Sequence, residues 1–324
     1  MEFGVLVPQG WRLDLMGVDG DAAKWETVRR VSMGLDEAGW DSLWVYDHFH
    51  TVPRKEIEAT FEAWTLMSHL AAITSRARIG QLVTCNEYRH PAYLAKIAAC
   101  VDVMSGGRLE LGIGSGWLQE EFNAYGYDFR TTGDRLRRLG ESLQIIRGMW
   151  SAADTFSFDG KHFQVKEAVC RPRPLQSPRP PIVIGGRGEK VLLRLVARYA
   201  DVWNYNGNQD EFPRYRDILK EHCLAIGRDF EEIKITAMSG GICFDNVVEE
   251  DRFFDRIAPQ GLPKEALLGF VSCKGSRERC AEFLYAYKRM GVSGIVFYFN
   301  DIASFGSGDS QAEIFRNDVL PMVG

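Results

Sequence analysis

The chain has 324 residues, 45% apolar and 26% charged, which is ordinary globular material with length for one large core or two medium ones. Its net charge of -5 argues against nucleic acid or an anionic membrane as the main partner. The opening "MEFGVLVPQGW" lacks a basic n-region and a long apolar run, and the seven cysteines are scattered with no CxxC, so the expectation is a cytoplasmic protein with free thiols and neither signal peptide nor membrane span.

Strand and helix signals alternate along the chain. "FGVLVP" from Phe3 is a short apolar strand, and a helix follows over Ala22 to Ala38, stopped by Gly39. Ser42 to Asp47 is the second strand. A helix is expected from Thr60, with the threonine as cap and Glu62 in its first turn. Ala77 to Thr84 is the third strand, and Pro91 opens the next helix, where a missing N–H is harmless. Arg108 to Gly116 is the fourth strand, ending in glycines, and a long helix covers Thr132 to Trp150. Ser151 to Arg179 breaks the rhythm with a hairpin at Asp159-Gly160 and a proline-rich run, and reads as an insertion of about 151–180.

The rhythm then resumes. Ile182 to Ile184 is a strand, Glu189 starts a helix, "DVWNYN" is a strand, and Glu211 to Ile226 a helix. "IKITAMSGGICF" follows, then two helical patterns between Val248 and Met290, the strand "GIVFYFN" and a last helix over Gln311 to Leu320. Eight short apolar strands without polar alternation suit a parallel sheet covered on both sides. Eight β/α units in one chain predict a single (β/α)8 barrel domain, residues 1–324, with the insertion between strands four and five.

Such a barrel gathers its chemistry at the C-terminal strand ends. The residues there are Gln9 and Trp11, Asp47 and His48, Gln81 to Asn86, Gly114 to Trp117, Gly185 to Glu189, Asn204 to Asn206, Gly240 and Gly241, and Asn300 with Asp301. Asp47 and His48 place two titratable groups straight after an apolar strand. His48 is either a proton donor and acceptor or a loop histidine satisfied by a hydrogen bond. "GIGSGW" removes side chains from one strand face, leaving room for a flat ligand or for another backbone. Gly185-Gly186-Arg187-Gly188 before a helix is either a phosphate cradle of free N–H groups, aided by Arg187, or only a tight turn. Glu120-Glu121 and Asp36-Glu37 read as solvated helix faces. No HExxH or GxSxG pattern is present, and no metal site is expected.

Three blocks together, "WDSLWVYDHFH", "LVTCNEYRHPAYLAKIAACVDVMSGGRLELGIGSGW" and "IVIGGRGEKVLLRLVARYADVWN", resemble the bacterial luciferase-like superfamily, and within it the coenzyme F420-dependent oxidoreductases. The resemblance runs from Phe3 to about Ile226 and implies a barrel, often dimeric, that binds F420 or FMN at the strand ends. It implies hydride transfer between the deazaflavin C5 and a small substrate. By position, Asp47 and His48 match the pair beside the ring, with His48 the proton donor. Gln81 and Leu82 match the residues that flank a non-prolyl cis peptide behind the ring, and Thr84 a ring contact. Gly185, Gly186, Arg187, Gly188 and Glu189 match the phosphate-holding turn, and Asn204 lies in a further contact region.

Where some members carry a catalytic glutamate this chain has Trp117, so acid–base work falls to His48 or to Glu120. Trp11, Trp44, Trp117 and Trp203 are candidates for an apolar roof over the substrate, with core packing the alternative for Trp44. A homodimer is implied. The rival readings are an FMN-dependent monooxygenase of the same fold and a flavin- or deazaflavin-binding protein without turnover.

Overall fold

A computed structural model describes residues 1–324. In chain order the main elements are β1 (Glu2–Leu6), α1 (Asp21–Glu37), β2 (Ser42–Val45), α2 (Ala63–Ile73), β3 (Arg78–Gln81), α3 (Pro91–Met104), β4 (Leu109–Gly114), α4 (Gln119–Ala124), α5 (Thr132–Ser151), β5 (Ile182–Gly185), α6 (Leu192–Tyr199), β6 (Val202–Tyr205), α7 (Phe212–Ala225), β7 (Lys234–Cys243), α8 (Val247–Ile257), α9 (Lys264–Phe270), α10 (Arg277–Arg289) and β8 (Gly294–Tyr298). The fold is the (β/α)8 barrel, all eight strands parallel to their neighbours. No helix is long and apolar enough to cross a membrane. The chain divides into two compact units, Met1–Phe61 with Ile235–Gly324, and Glu62–Lys234.

In the first unit the strand order is β7-β8-β1-β2. Glu2 pairs with Gly294 and Val5 with Phe297, while Gly4 faces Ser42 on the other side. A short strand, Cys273–Gly275, adds to the far end of β7 beside Gly241–Cys243. The core is aromatic, with Phe297 stacked on Phe299 (5.5 Å) and both tilted against Phe315. Three helices, α8 to α10, occupy the stretch expected to hold two, because the seven-residue α9 is too short to show an apolar period.

In the second unit the order is β3-β4-β5-β6. Leu111 pairs with Ile182 and Val183 with Val202, which aligns the ends of β4, β5 and β6. The helix expected from Thr60 starts at Ala63 instead. Glu62 is its cap, its carboxylate accepting from the N–H groups of Trp64 (3.2 Å) and Thr65 (2.7 Å). The insertion forms the antiparallel hairpin Phe156–Asp159/Gln164–Ala168. Its turn is tied to α5 by Glu141, which accepts from the N–H groups of Lys161, His162 and Phe163 at 2.8–3.0 Å.

The third strand carries the main irregularity. Ile79 faces Leu109 and Thr84 faces Ile113, five steps along one strand against four along the other. One residue is therefore extra, a bulge between Gln81 and Thr84. The cis peptide lies within it at Leu82-Val83, not at Gln81-Leu82 as expected.

Candidate active site

In the first unit the end of β1 is clipped to the end of β2 by one amide side chain. Gln9 Nε2 donates to the carbonyls of Tyr46 (2.8 Å) and Phe61 (2.7 Å), and its Oε1 accepts from the Tyr46 N–H (2.8 Å). Gln9 is fully buried, so these bonds compete with no water. Beyond it the chain turns at Gly10, whose positive φ of 96° and contact with Ala59 admit no side chain. Asp14 stabilises the turn by accepting from the Gly10 N–H (2.6 Å) and, more loosely, from Gln9 N–H (3.4 Å). Burial is the main influence on that carboxyl and pushes its pKa up to about 6, against the lowering effect of those N–H groups and of Arg12.

This turn delivers Trp11 against the end of β2. Its indole lies 4.1 Å from the Tyr46 ring and stacks on the His48 imidazole at 4.2 Å and 4°. Trp11 is buried, so it is not an exposed wall for substrate but the packing partner of the histidine. Asp47 is buried beside it and His48 is partly exposed. His48 is thus a partly exposed loop histidine whose ring plane is fixed by the stack on Trp11.

In the second unit Gln81 and Thr84 are buried, and the Thr84 hydroxyl donates to Gln81 Oε1. Thr84 thereby spends its hydroxyl proton within the protein and is not an exposed ring contact. The bulge presents Val83, partly exposed, and Val83 explains the glycines opposite. A Cβ on Gly112 would collide with the Gln81 carbonyl, one on Gly114 would lie 2.7 Å from Val83 Cγ2, and one on Gly185 3.1 Å from Val83 Cγ1. The glycine face of β4 is therefore filled by the chain itself, not left open for a flat ligand. Gly116 likewise makes room for Cys85 and Phe122. Val83 lies within the stretch Gln81 to Asn86 gathered from the sequence, but sequence reasoning assigned it no role of its own. Only the offset between Gln81 and Thr84 could have found it.

After β5 the turn is pinned at Gly186. Its N–H donates to the Asn204 carbonyl (3.0 Å), and its carbonyl accepts from Trp203 Nε1 (2.7 Å). The left-handed φ of 120° suits only glycine there. α6 begins at Leu192 rather than Glu189, which leaves Arg187 to Val191 as an open turn. The N–H groups of Arg187, Gly188 and Glu189 make no hydrogen bond within the protein.

The side chains of that turn face outward to the next helix. Arg187 pairs with Glu211 (2.6 Å), Glu189 with Arg214 (2.7 Å), and the Glu189 carbonyl lies 2.8 Å from His222 Nε2. Arg187 therefore braces the turn and leaves the amides to present donors alone. Gly186 N–H, spent on Asn204, drops out of the expected cradle.

Trp203 is fully buried and Trp44 nearly so, its Nε1 donating to Ser42 Oγ (2.8 Å), so neither belongs to a substrate roof. Trp117, by contrast, is 61% exposed, and Glu120 is exposed on α4. Glu121 is not on a solvated face. It is buried, its carboxylate accepting from the Tyr88 hydroxyl (3.2 Å), and Asp36 is buried on α1. Asp301 is also buried, paired with Arg256 (2.9 Å) and the Gln311 N–H (3.0 Å), so it anchors the loop after β8.

Residues 1–252 match the family model described as luciferase-like monooxygenase. The chain is 26% identical over 293 residues to an FMNH(2)-dependent dimethylsulfone monooxygenase of Pseudomonas putida, covering 81% of this chain and 78% of that one. It is 34% identical over 168 residues to an F420-dependent glucose-6-phosphate dehydrogenase of Amycolatopsis mediterranei, covering 51% of this chain and 47%, about half, of that relative. A solved F420-dependent secondary alcohol dehydrogenase, in complex with an F420-acetone adduct, superposes with a TM-score of 0.80 over the full length of both chains at 16% identity, a likeness of fold. The chain belongs to the luciferase-like monooxygenase family.

Proposed function

We propose that this chain is an F420-dependent oxidoreductase that moves a hydride between the deazaflavin C5 and a small organic substrate. The observation that carries the reading is the turn of three amides without acceptors at Arg187, Gly188 and Glu189. Adjacent backbone donors without partners are the complement of a phosphate group. The brace from Trp203 and Asn204 fixes the turn before any ligand arrives, so little ordering is needed on binding.

Coenzyme F420, when bound, supplies or accepts the hydride. In this reading the three amides bind its phosphate and the partly exposed Val83 offers an apolar surface to its flat ring. His48 gives or takes the proton that balances hydride transfer to a C=C, C=N or C=O bond. Asp47 completes the strand-end pair, and in this reading the exposed Trp117 and Glu120 contact the substrate. The F420-dependent glucose-6-phosphate dehydrogenase at 34% identity supports the choice of cofactor.

A second reading, an FMN-dependent monooxygenase, is favoured by the FMNH(2)-dependent relative, which matches more of the chain at lower identity. Anaerobic titration of the purified protein with F420 and with FMN separates the two. Micromolar F420 affinity with weak FMN affinity is the expected result, and the reverse would transfer the proposal to the monooxygenase. The reading includes a cytoplasmic homodimer, which light scattering on the eluting peak would measure.

A further inference from the structure

We propose that Arg12 is the anchor of an oxyanion-binding site in the first unit, taking a carboxylate, sulfonate or phosphate group. Arginine is rarely withdrawn from water without an anionic partner. Arg12 is half-buried, forms no ion pair, and its buried Nε–H has no acceptor. Its guanidinium lies instead 3.8 Å over the ring of Tyr298, at the end of β8. That ring is seated on β7, where Gly240 pairs with Tyr298 and a Cβ on Gly240 would come within 2.7 Å of it. Stacking occupies the flat face of the guanidinium and leaves its in-plane N–H groups for a ligand.

The surroundings are donors as well. Trp11 Nε1 and the Tyr46 hydroxyl are buried with no acceptor in hydrogen-bonding geometry, and the Tyr46 hydroxyl lies against Arg12. The Arg12 Nε–H and the Trp11 indole N–H are donors only and make no hydrogen bond, and the Tyr46 hydroxyl beside them can donate as well, an arrangement that complements a cluster of anionic oxygens. The Asp14 carboxyl, on which the Arg12 charge acts, is engaged with the turn amides and makes no ion pair with Arg12. The turn places these donors next to the Trp11–His48 stack. Calling the anion a substrate group rests on the function proposed above, whereas binding of the anion does not.

The test follows the Arg12 Nε–Hε resonance of the intact protein by NMR while methanesulfonate is added, with neutral methanesulfonamide as the isosteric control. The expected result is a saturable shift with methanesulfonate, none with the amide, and affinity reduced about tenfold or more in Arg12→Gln with partial recovery in Arg12→Lys. A resonance that stays still to about 100 mM methanesulfonate, or equal binding by a folded Arg12→Gln, overturns the proposal. Two further arms identify the source of the anion. If F420 abolishes the methanesulfonate shift and its tail-less deazaflavin core does not, the anion belongs to the cofactor. If neither abolishes it, the anion belongs to the substrate. Because these titrations need no turnover, a failure of the F420 reading leaves the methanesulfonate result intact.

Discussion

The imidazole of His48 stacks on the indole of Trp11, 4.2 Å away and within 4° of parallel. The stack fixes the ring plane, so the histidine can rotate little before it leaves the aromatic face. Gln9 holds the two ends of the arrangement together through Tyr46, whose ring packs at a tilt against Trp11. Trp11 is therefore a positioning residue for His48. Replacing it with leucine is expected to lower kcat about tenfold to a hundredfold with KM little changed, the penalty of a misplaced catalytic group. Phenylalanine keeps a flat face and should restore most of the rate. The His48 ring protons provide an independent readout, since the indole ring current displaces them upfield in the wild type and in the phenylalanine variant less so. An unchanged His48 spectrum in Trp11→Leu would mean that the stack does not form in solution.

His48 itself is expected to carry the proton. His48→Ala should reduce the single-turnover rate by about a hundredfold to ten-thousandfold, the usual share of general acid–base catalysis. F420 affinity should stay within a few-fold, because the proposed phosphate donors, the amides without partners, reside on the Arg187–Glu189 turn. Full activity in a variant that still binds F420 would remove His48 from the mechanism.

The turn after β5, proposed to hold phosphate, makes a contrasting pair of predictions. Gly188 has no left-handed φ, and a Cβ there meets Leu192 Cβ at 3.2 Å, a contact that a small shift relieves. Gly188→Asp should therefore fold, but it sets a negative charge beside the free amides and should weaken F420 binding at least about tenfold, or 1.4 kcal/mol. Gly186→Ala must take a left-handed φ of 120° and a 2.7 Å approach to Leu192 Cδ2, so it should lose about 1–3 kcal/mol of stability whether or not cofactor is present. Denaturant melts and fluorescence titrations on both variants separate the two effects. Unaltered affinity in Gly188→Asp returns the turn to a purely structural role.

The barrel was legible because glycine, proline and apolar runs punctuate eight similar units. The expected hairpin at Asp159-Gly160 and the long helix from Thr132 formed where composition put them. What escaped is whatever depends on residues distant in sequence. Glycine spacing in "GIGSG" says that side chains are absent, not that Gln81 and Val83 fill the space. The family resemblance located the third-strand cis peptide to within one bond, but only the pairing with β4 identifies the extra residue. Glu121 looks like a solvated acid until Tyr88 is brought over it. Arg12 has no local signal at all, since its isolation follows from what the end of β8 places beneath it.

The fit between bulge and glycines predicts a graded response. Gly112→Ala points a methyl into the Gln81 carbonyl, a backbone atom that cannot rotate away, and should abolish soluble expression or cost several kcal/mol. Gly114→Ala meets Val83 Cγ2, a side-chain methyl that can turn, and should cost about 1–3 kcal/mol. Val83→Ala in the same background should recover part of that loss. Purely additive effects of the two substitutions, measured by chemical denaturation, would show that Val83 does not occupy this space.

Asp14 sets a pH dependence whose sign can be worked out. Burial raises its folded-state pKa to about 6, above its ordinary value of 3.8, so the folded chain holds this proton more tightly than the unfolded chain. The resulting stabilisation is complete below about pH 4 and is lost as pH rises through 6, reaching about 3 kcal/mol at most. Asp301 is raised to about 6 as well, chiefly by burial, and contributes in the same window. Asp14→Asn keeps an oxygen to accept from Gly10 but cannot ionise, so it should remove the Asp14 share of the slope between pH 4 and 6 and leave that of Asp301. Denaturant midpoints taken across this range in both proteins provide the comparison, and parallel pH profiles would mean that Asp14 titrates alike in the folded and unfolded chains. The same substitution keeps the turn that carries Trp11, so the His48 spectrum should not change, which separates a loss of charge at Asp14 from a loss of the stack.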